Sequence, residues 1–185
     1  MDEVALLQSV LDKTGDLIAG VREDQWGRST PCPAYDVRQL TDHLVGWIQV
    51  FDAGCHARPF EGDPTTYRSG PDPAGEFRAA AASLVAGWRE YGLDRELRVL
   101  GGERPAEMVF NMTVMEYLTH GWDLAVATGQ PVPFSDEESL DVLARAQRTL
   151  LAQYRGEGMP FAHAVEIAPG APATDRLAAF MGRDP

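Results

Sequence analysis

The sequence predicts an all-α fold, a bundle of long helices, and three observations carry that prediction. Five stretches keep apolar residues at intervals of three, four or seven, the spacing of one helix face. Each stretch is bounded by a capping residue, a proline or a glycine. Against them stands one short extended candidate, around Leu97, Val99 and Leu100.

The first helix is expected over residues 3–21, where Val4, Leu7, Leu11, Ile18 and Val21 form one apolar stripe. Residues 24–35 contain Gly27, Pro31 and Pro33 and cannot prolong it. A second helix begins after Asp36, which can cap the free amides, with Gln39 at the capping-box position. Val37, Leu40, Leu44 and Trp47 mark its buried side, His43 lies within that arc, and Gly54 is its stop. Residues 54–72 are a long polar connection holding Pro59, Gly62, Pro64, Gly70 and Pro71, a length that fits a crossover or a functional lid. A crossover would leave the second and third helices parallel.

The third helix is expected over residues 73–91, with Asp72 as cap, Pro73 in the first turn and Gly92 just past the end. Phe77, Ala81, Leu84, Trp88 and Tyr91 make its stripe. Residues 93–105 read as irregular apart from the extended piece. A fourth helix runs from Pro105 or Ala106 to Thr128, before Gly129, and a fifth from the Ser135/Glu138 capping box to about Tyr154. The tail carries a short apolar stretch over residues 161–167 and a final helix over 174–181. The chain shows no internal repeat, and its 185 residues are read as one domain, with residues 155–185 packing on it as a tail.

A formal net charge of −12 disfavours nucleic acid and anionic membrane surfaces as partners, but not an anionic substrate beside a bound cation. The first residues, MDEVALLQSV, are acidic where a signal peptide needs basic ones. No apolar run approaches the roughly 20 residues that span a bilayer. The expected location is the cytoplasm. Cys32 and Cys55 are too few for a disulfide scaffold and match no zinc-finger spacing; small inert residues are the simplest reading of both.

The chemistry concentrates in the fourth helix. Met112, Glu116, His120 and Asp123 fall along one strip, flanked by Met115, Leu118, Thr119 and Leu124, so the strip is not a solvated face. A glutamate in apolar surroundings needs a partner or a metal ion. His120, one turn on, supplies either. An inward His43 from a second helix would complete a metal site in the bundle core, although a core histidine is more often simply hydrogen-bonded. Asp123 is placed to orient an imidazole nitrogen, or to lie at the surface. Trp47 and Trp122 read first as core, His56 and His163 as incidental, and Arg38 and Arg68 as offsets to surface acid. No G-x-S-x-G elbow is present for Ser-His-Asp hydrolysis.

The run Thr30-Pro31-Cys32-Pro33-Ala34-Tyr35-Asp36-Val37-Arg38 with His43-Leu44-Val45-Gly46 resembles the N-terminal signature of the DinB-like superfamily. More closely, it is similar to the metal-binding domain of mycothiol-dependent maleylpyruvate isomerases. The stretch from Glu116 to Ala125, followed by Thr128-Gly129, resembles that family's second signature. The ending from Asp175 to Pro185 is similar to the tail of its small, single-domain branch, which lacks the further C-terminal domain of the two-domain isomerases. The resemblance implies a DinB-like four-helix bundle with a crossover connection and an extra C-terminal helical segment. It implies a divalent metal held by His43, Glu116 and His120, with mycothiol as co-substrate.

Two imidazoles and a carboxylate suit zinc first, with nickel or iron also within reach. The first expectation is an enzyme of S-transfer or isomerisation, acting on a small-molecule thiol and an electrophilic substrate. A non-haem iron enzyme on the same bundle and a non-catalytic metal-containing binding or stress-response module are the alternatives. A homodimer is compatible with each.

Overall fold

The computed structural model describes residues 2–99, 101–156 and 161–185. Six helices are present: α1 (Glu3–Ala19), α2 (Val37–Cys55), α3 (Pro73–Tyr91), α4 (Ala106–Thr128), α5 (Asp136–Thr149) and α6 (Ala173–Phe180). The all-α expectation holds, with a two-stranded hairpin beside the helices. Among the described residues no helix is long and apolar enough to cross a membrane.

Helix starts follow the capping chemistry of the sequence. Asp36 accepts from the Gln39 amide at 2.8 Å, and the Gln39 side chain accepts from the Asp36 amide at 2.9 Å. Ser135 and Glu138 close the same reciprocal box at α5. Asp72 caps α3 through the Gly75 amide, with Pro73 in its first turn. Gly129 takes φ +68°, a left-handed conformation that ends α4 without a Cβ penalty.

The bundle consists of α1, α2, α3 and α4, with α5 lying outside against α1 and α4. Arg78 of α3 pairs with Asp16 of α1 at 2.7 Å while Arg89 reaches Gln8, so α1 and α3 are antiparallel. Ser69, just ahead of α3, donates to Asp42 near the start of α2; at the far ends, Gly87 abuts Cys55. The two helices are therefore parallel, and residues 56–72 are the predicted crossover. A side chain at Gly87 would put its Cβ 2.8 Å from the Cys55 sulfur, so the close approach of α3 to α2 needs this glycine.

α4 is the central helix: 17 of its 23 residues are buried, so polar groups on it lie inside the molecule. It packs against α1 through Thr14, whose hydroxyl donates to the Tyr117 carbonyl at 3.1 Å, and against α2 through Tyr117, whose hydroxyl donates to the Leu44 carbonyl at 3.3 Å. α6 is tied to α4 where Trp122 Nε1 donates to Asp175 at 3.3 Å.

Three boundaries differ from the sequence reading. α1 stops at Ala19, with Gly20 closing its last turn onto the Asp16 and Ile18 carbonyls. The segment read as mostly irregular is an antiparallel hairpin of β1 (Glu96–Val99) and β2 (Gly102–Pro105), whose Leu97 and Val99 turn into the core. Leu100, expected in the extended piece, lies outside the described residues. α5 ends at Thr149 rather than near Tyr154. Leu150 leaves helical dihedrals and buries its side chain, and a short 3-10 turn follows over Ala152–Tyr154.

Candidate functional site

His43 is delivered by the register of α2. Val37, Leu40, Leu44, Ile48 and Phe51 fill the core, and His43 sits at the flank of that arc with a side chain 16% exposed. Glu116 and His120 come from successive turns of α4, with side chains 26% and 10% exposed. Helix geometry alone puts these two on one face. The antiparallel approach of α2 brings His43 to them.

The three side chains converge. His43 Nε2 lies 2.5 Å from Glu116 Oε1, and His120 Nε2 lies 3.5 Å from the same oxygen. One donor atom from each residue falls within 4.8 Å of the other two. The imidazole centroids are 5.2 Å apart at an interplanar angle of 74°, an edge-on arrangement and not a stack.

Each histidine is held from behind. Tyr35 Oη lies 3.1 Å from His43 Nδ1. Burial and the Glu116 charge keep the Tyr35 phenol above its ordinary pKa, so it remains an O–H at neutral pH. His120 Nδ1 lies 2.8 Å from Asp123 Oδ2, and Asp123 is fully buried. Arg183, from the tail beyond α6, donates to both Asp123 oxygens, at 3.1 and 2.8 Å. Burial opposes the Asp123 charge, but the hydrogen bonds from His120 and Arg183 outweigh it and lower the carboxyl pKa.

This arrangement places one ring proton of His120. A buried carboxylate can only accept, so Nδ1 carries a ring proton and Nε2 is the atom that faces the Glu116 oxygen. Glu116 is itself an anion. Desolvation pushes its pKa up, yet the imidazoles of His120 and His43, with Arg183, bring it down to about 2. A lone pair directed at a carboxylate is repulsive unless a cation, a proton or a metal ion, lies between them. Two imidazole nitrogens and one carboxylate oxygen are also the donor types a borderline divalent ion takes. The residues therefore fit a metal.

Of the secondary candidates, Asp123 joins the site as an orienting group. His56 does not; it pairs with Asp52 at 3.1 Å and stands edge-on to Tyr91 near the other end of α2. His163 is exposed in the tail and outside the converging group. Arg38 stacks on Trp26 at 3.7 Å, and Trp122 is buried against Asp175. Trp47 lies 6.1 Å from the His43 ring.

Sequence reasoning missed Tyr35, Arg183 and the placement of Cys32. Thr30 ties the turn around Cys32 by donating to the Cys32 and Tyr35 carbonyls, at 2.9 and 2.8 Å. That turn brings the Cys32 thiol within 4.8 Å of ligand atoms of His120 and Asp123. Burial raises the thiol pKa, against the nearby Arg183 charge. Arg183 carried a readable signal: an aspartate three residues after an inward histidine needs a cation, and the tail block contains one. His43 opens on a small polar cleft of about 140 Å³ shared with Gln39, Asp42 and Arg68, whereas Glu116 borders a larger apolar cavity.

Residues 7–125 match the family model described as the mycothiol maleylpyruvate isomerase N-terminal domain. Two uncharacterised proteins from two strains of Mycobacterium tuberculosis are each 33% identical over 183 residues, spanning 99% of this chain and 98% of the relative. Among solved structures, a histidine-to-alanine variant of the mycothiol-dependent maleylpyruvate isomerase superimposes with a TM-score of 0.58 at 17% identity. That match covers 86% of this chain and 72% of the other. At that identity the structural likeness speaks for the fold, and the sequence matches speak for the family. The chain belongs to the mycothiol maleylpyruvate isomerase N-terminal domain family.

Proposed function

We propose that this protein binds one divalent metal ion through His43, Glu116 and His120 and uses it with a low-molecular-weight thiol, mycothiol by family, in S-transfer or isomerisation. The observation that carries the reading is the convergence of His43, Glu116 and His120, whose ligand atoms lie within 4.8 Å of one another, with the His120 ring held from behind by Asp123. Zinc is the first choice of metal.

A bound divalent ion supplies Lewis acidity, which stabilises a thiolate at neutral pH and polarises a substrate oxygen. The chain's own residues do the rest. Asp123 and Arg183 hold the His120 ring and its Nδ1 proton, Tyr35 holds His43, and Glu116 contributes an anionic oxygen without needing to be deprotonated. In a transfer, the thiol sulfur forms a C–S bond, its proton passes to solvent, and a leaving group departs with its electron pair. In an isomerisation, sulfur adds to one carbon of a double bond, the resulting single bond rotates, and the C–S bond breaks to return the thiol. The polar cleft beside His43 suits the hydroxyl-rich part of such a thiol.

The test is elemental analysis of protein purified without added metal, followed by metal titration and an assay of thiol consumption with an electrophile. About one equivalent of metal and metal-dependent thiol consumption are expected. Metal-independent thiol binding with no turnover would overturn the reading in favour of a binding module. The donor set is also that of non-haem iron enzymes, so iron with redox activity, in place of redox-silent zinc, would move the reaction to that class.

A further inference from the structure

The apolar cavity on the Glu116 side has a volume of about 610 Å³, within the range of small-molecule sites. Among the described residues its walls include Met108, Met112, Met115 and Met181, and its two charged lining residues are Glu116 and Arg104. Four methionines give a pliable, polarisable surface that accepts differing apolar shapes. Arg104 belongs to β2, immediately before α4. Among the described residues it makes no ion pair, and its one side-chain hydrogen bond goes to the neighbouring Glu103 carbonyl at 3.1 Å. In so acidic a chain, a guanidinium on the rim of an apolar cavity and, among the described residues, without an ion pair is a docking point for a carboxylate brought by a ligand.

Spacing along α4 sets the length. Met108, Met112 and Glu116 are four residues apart, so the cavity floor from Met108 to Glu116 covers about 12 Å at the helical rise of about 1.5 Å per residue. An extended chain advances about 1.2 Å per bond, so roughly ten bonds cover the floor from Met108 to Glu116. A second carboxylate along the body of the ligand would lie against the methionine walls, which is unfavourable.

We propose that this cavity binds the electrophilic substrate, and that the substrate is a monocarboxylate with an apolar body of medium length, its carboxylate on Arg104 and its reactive end toward Glu116. The inference deepens the thiol-transfer reading and rests on it for the existence of a second substrate.

The experiment is calorimetric binding of decanoate, decanol and butanedioate to wild-type protein and to Arg104→Gln, with metal content measured on the same samples. Decanoate is expected to bind about tenfold more tightly than decanol to the wild type, the worth of a charge-assisted contact, while butanedioate fails to saturate. R104Q is expected to lose about tenfold for decanoate and to leave decanol unchanged. Equal binding of decanoate and decanol by the wild type, stronger binding of butanedioate, or no effect of R104Q would each overturn the proposal. The wild-type comparison stands even if the variant folds poorly. Normal metal content with no carboxylate preference removes this inference alone. Absent metal with the preference intact removes the thiol-transfer reading and keeps the cavity.

Discussion

Two buried polar clusters sit on opposite flanks of this bundle, and they handle charge in different ways. On the α1–α5 side, Glu138 is 2% exposed and fully satisfied: Lys13 reaches both of its oxygens at 2.6 Å, Ser9 donates at 2.6 Å, and the Ser135 amide at 2.7 Å. Every acceptor has a local donor. On the α2–α4 side, Asp123 is satisfied in the same manner by His120 and Arg183, but Glu116 meets only two imidazole nitrogens, at 2.5 and 3.5 Å. The first cluster holds helices together. The second leaves donor atoms of three residues within 4.8 Å of one another, the feature on which the proposed metal site rests.

The comparison breaks most readily at His120. His120→Ala is expected to take the protein from about one equivalent of bound metal to none, measured by elemental analysis after dialysis. Retention of stoichiometric metal would mean that the triangle is as structural as the Glu138 cluster. Next in size is Arg183→Gln, expected to weaken metal affinity by ten- to a hundredfold in a chelator competition, the usual worth of a group that orients a ligating histidine. A loss of thermal stability in R183Q with unchanged metal affinity would make Arg183 a tail anchor only.

The converse substitution, Glu138→Gln, should leave metal affinity unchanged and cost about 2 kcal/mol of unfolding free energy at neutral pH, read from chemical denaturation. Its pH dependence has a definite sign. Burial raises the Glu138 carboxyl, but Lys13, Ser9 and Ser135 pull it below its ordinary value of 4.5 in the folded state. The stabilisation is therefore present above that value and fades as pH falls below it, so the wild type and E138Q should converge in acid. A gap that persists at low pH would assign the effect to packing. The smallest effect is expected from Cys32→Ser, with metal affinity changing by less than about twofold; a loss like that of H120A would make the thiol a ligand.

Much of the bundle was legible because its signals are local. The Asp36/Gln39 and Ser135/Glu138 boxes, Asp72 before Pro73, and Gly129 after Thr128 each act within a turn of the boundary they set. The end of α5 was misread because Leu150 leaves the helix to reach a tertiary cavity wall, and no residue near it carries a stop signal. The hairpin was missed in part because four-residue strands are too short for a clear alternation. In the candidate site, Glu116 and His120 were visible as an i, i+4 pair and Asp123 as an i+3 neighbour. Tyr35 was not, and Arg183 was legible only as a cation the tail could offer to Asp123, since its partner lies 60 residues away and the folded chain brings the two together.

The same separation has a thermodynamic side. His43 and Glu116 are 73 residues apart in the chain. In the unfolded state they do not form a chelate, so an ion held between them recognises the native bundle alone. By mass action, free metal at a hundred times its dissociation constant would add about 2.7 kcal/mol to the unfolding free energy. The supply of metal in the surroundings would then set how much of this protein is folded, as well as how much of it can react.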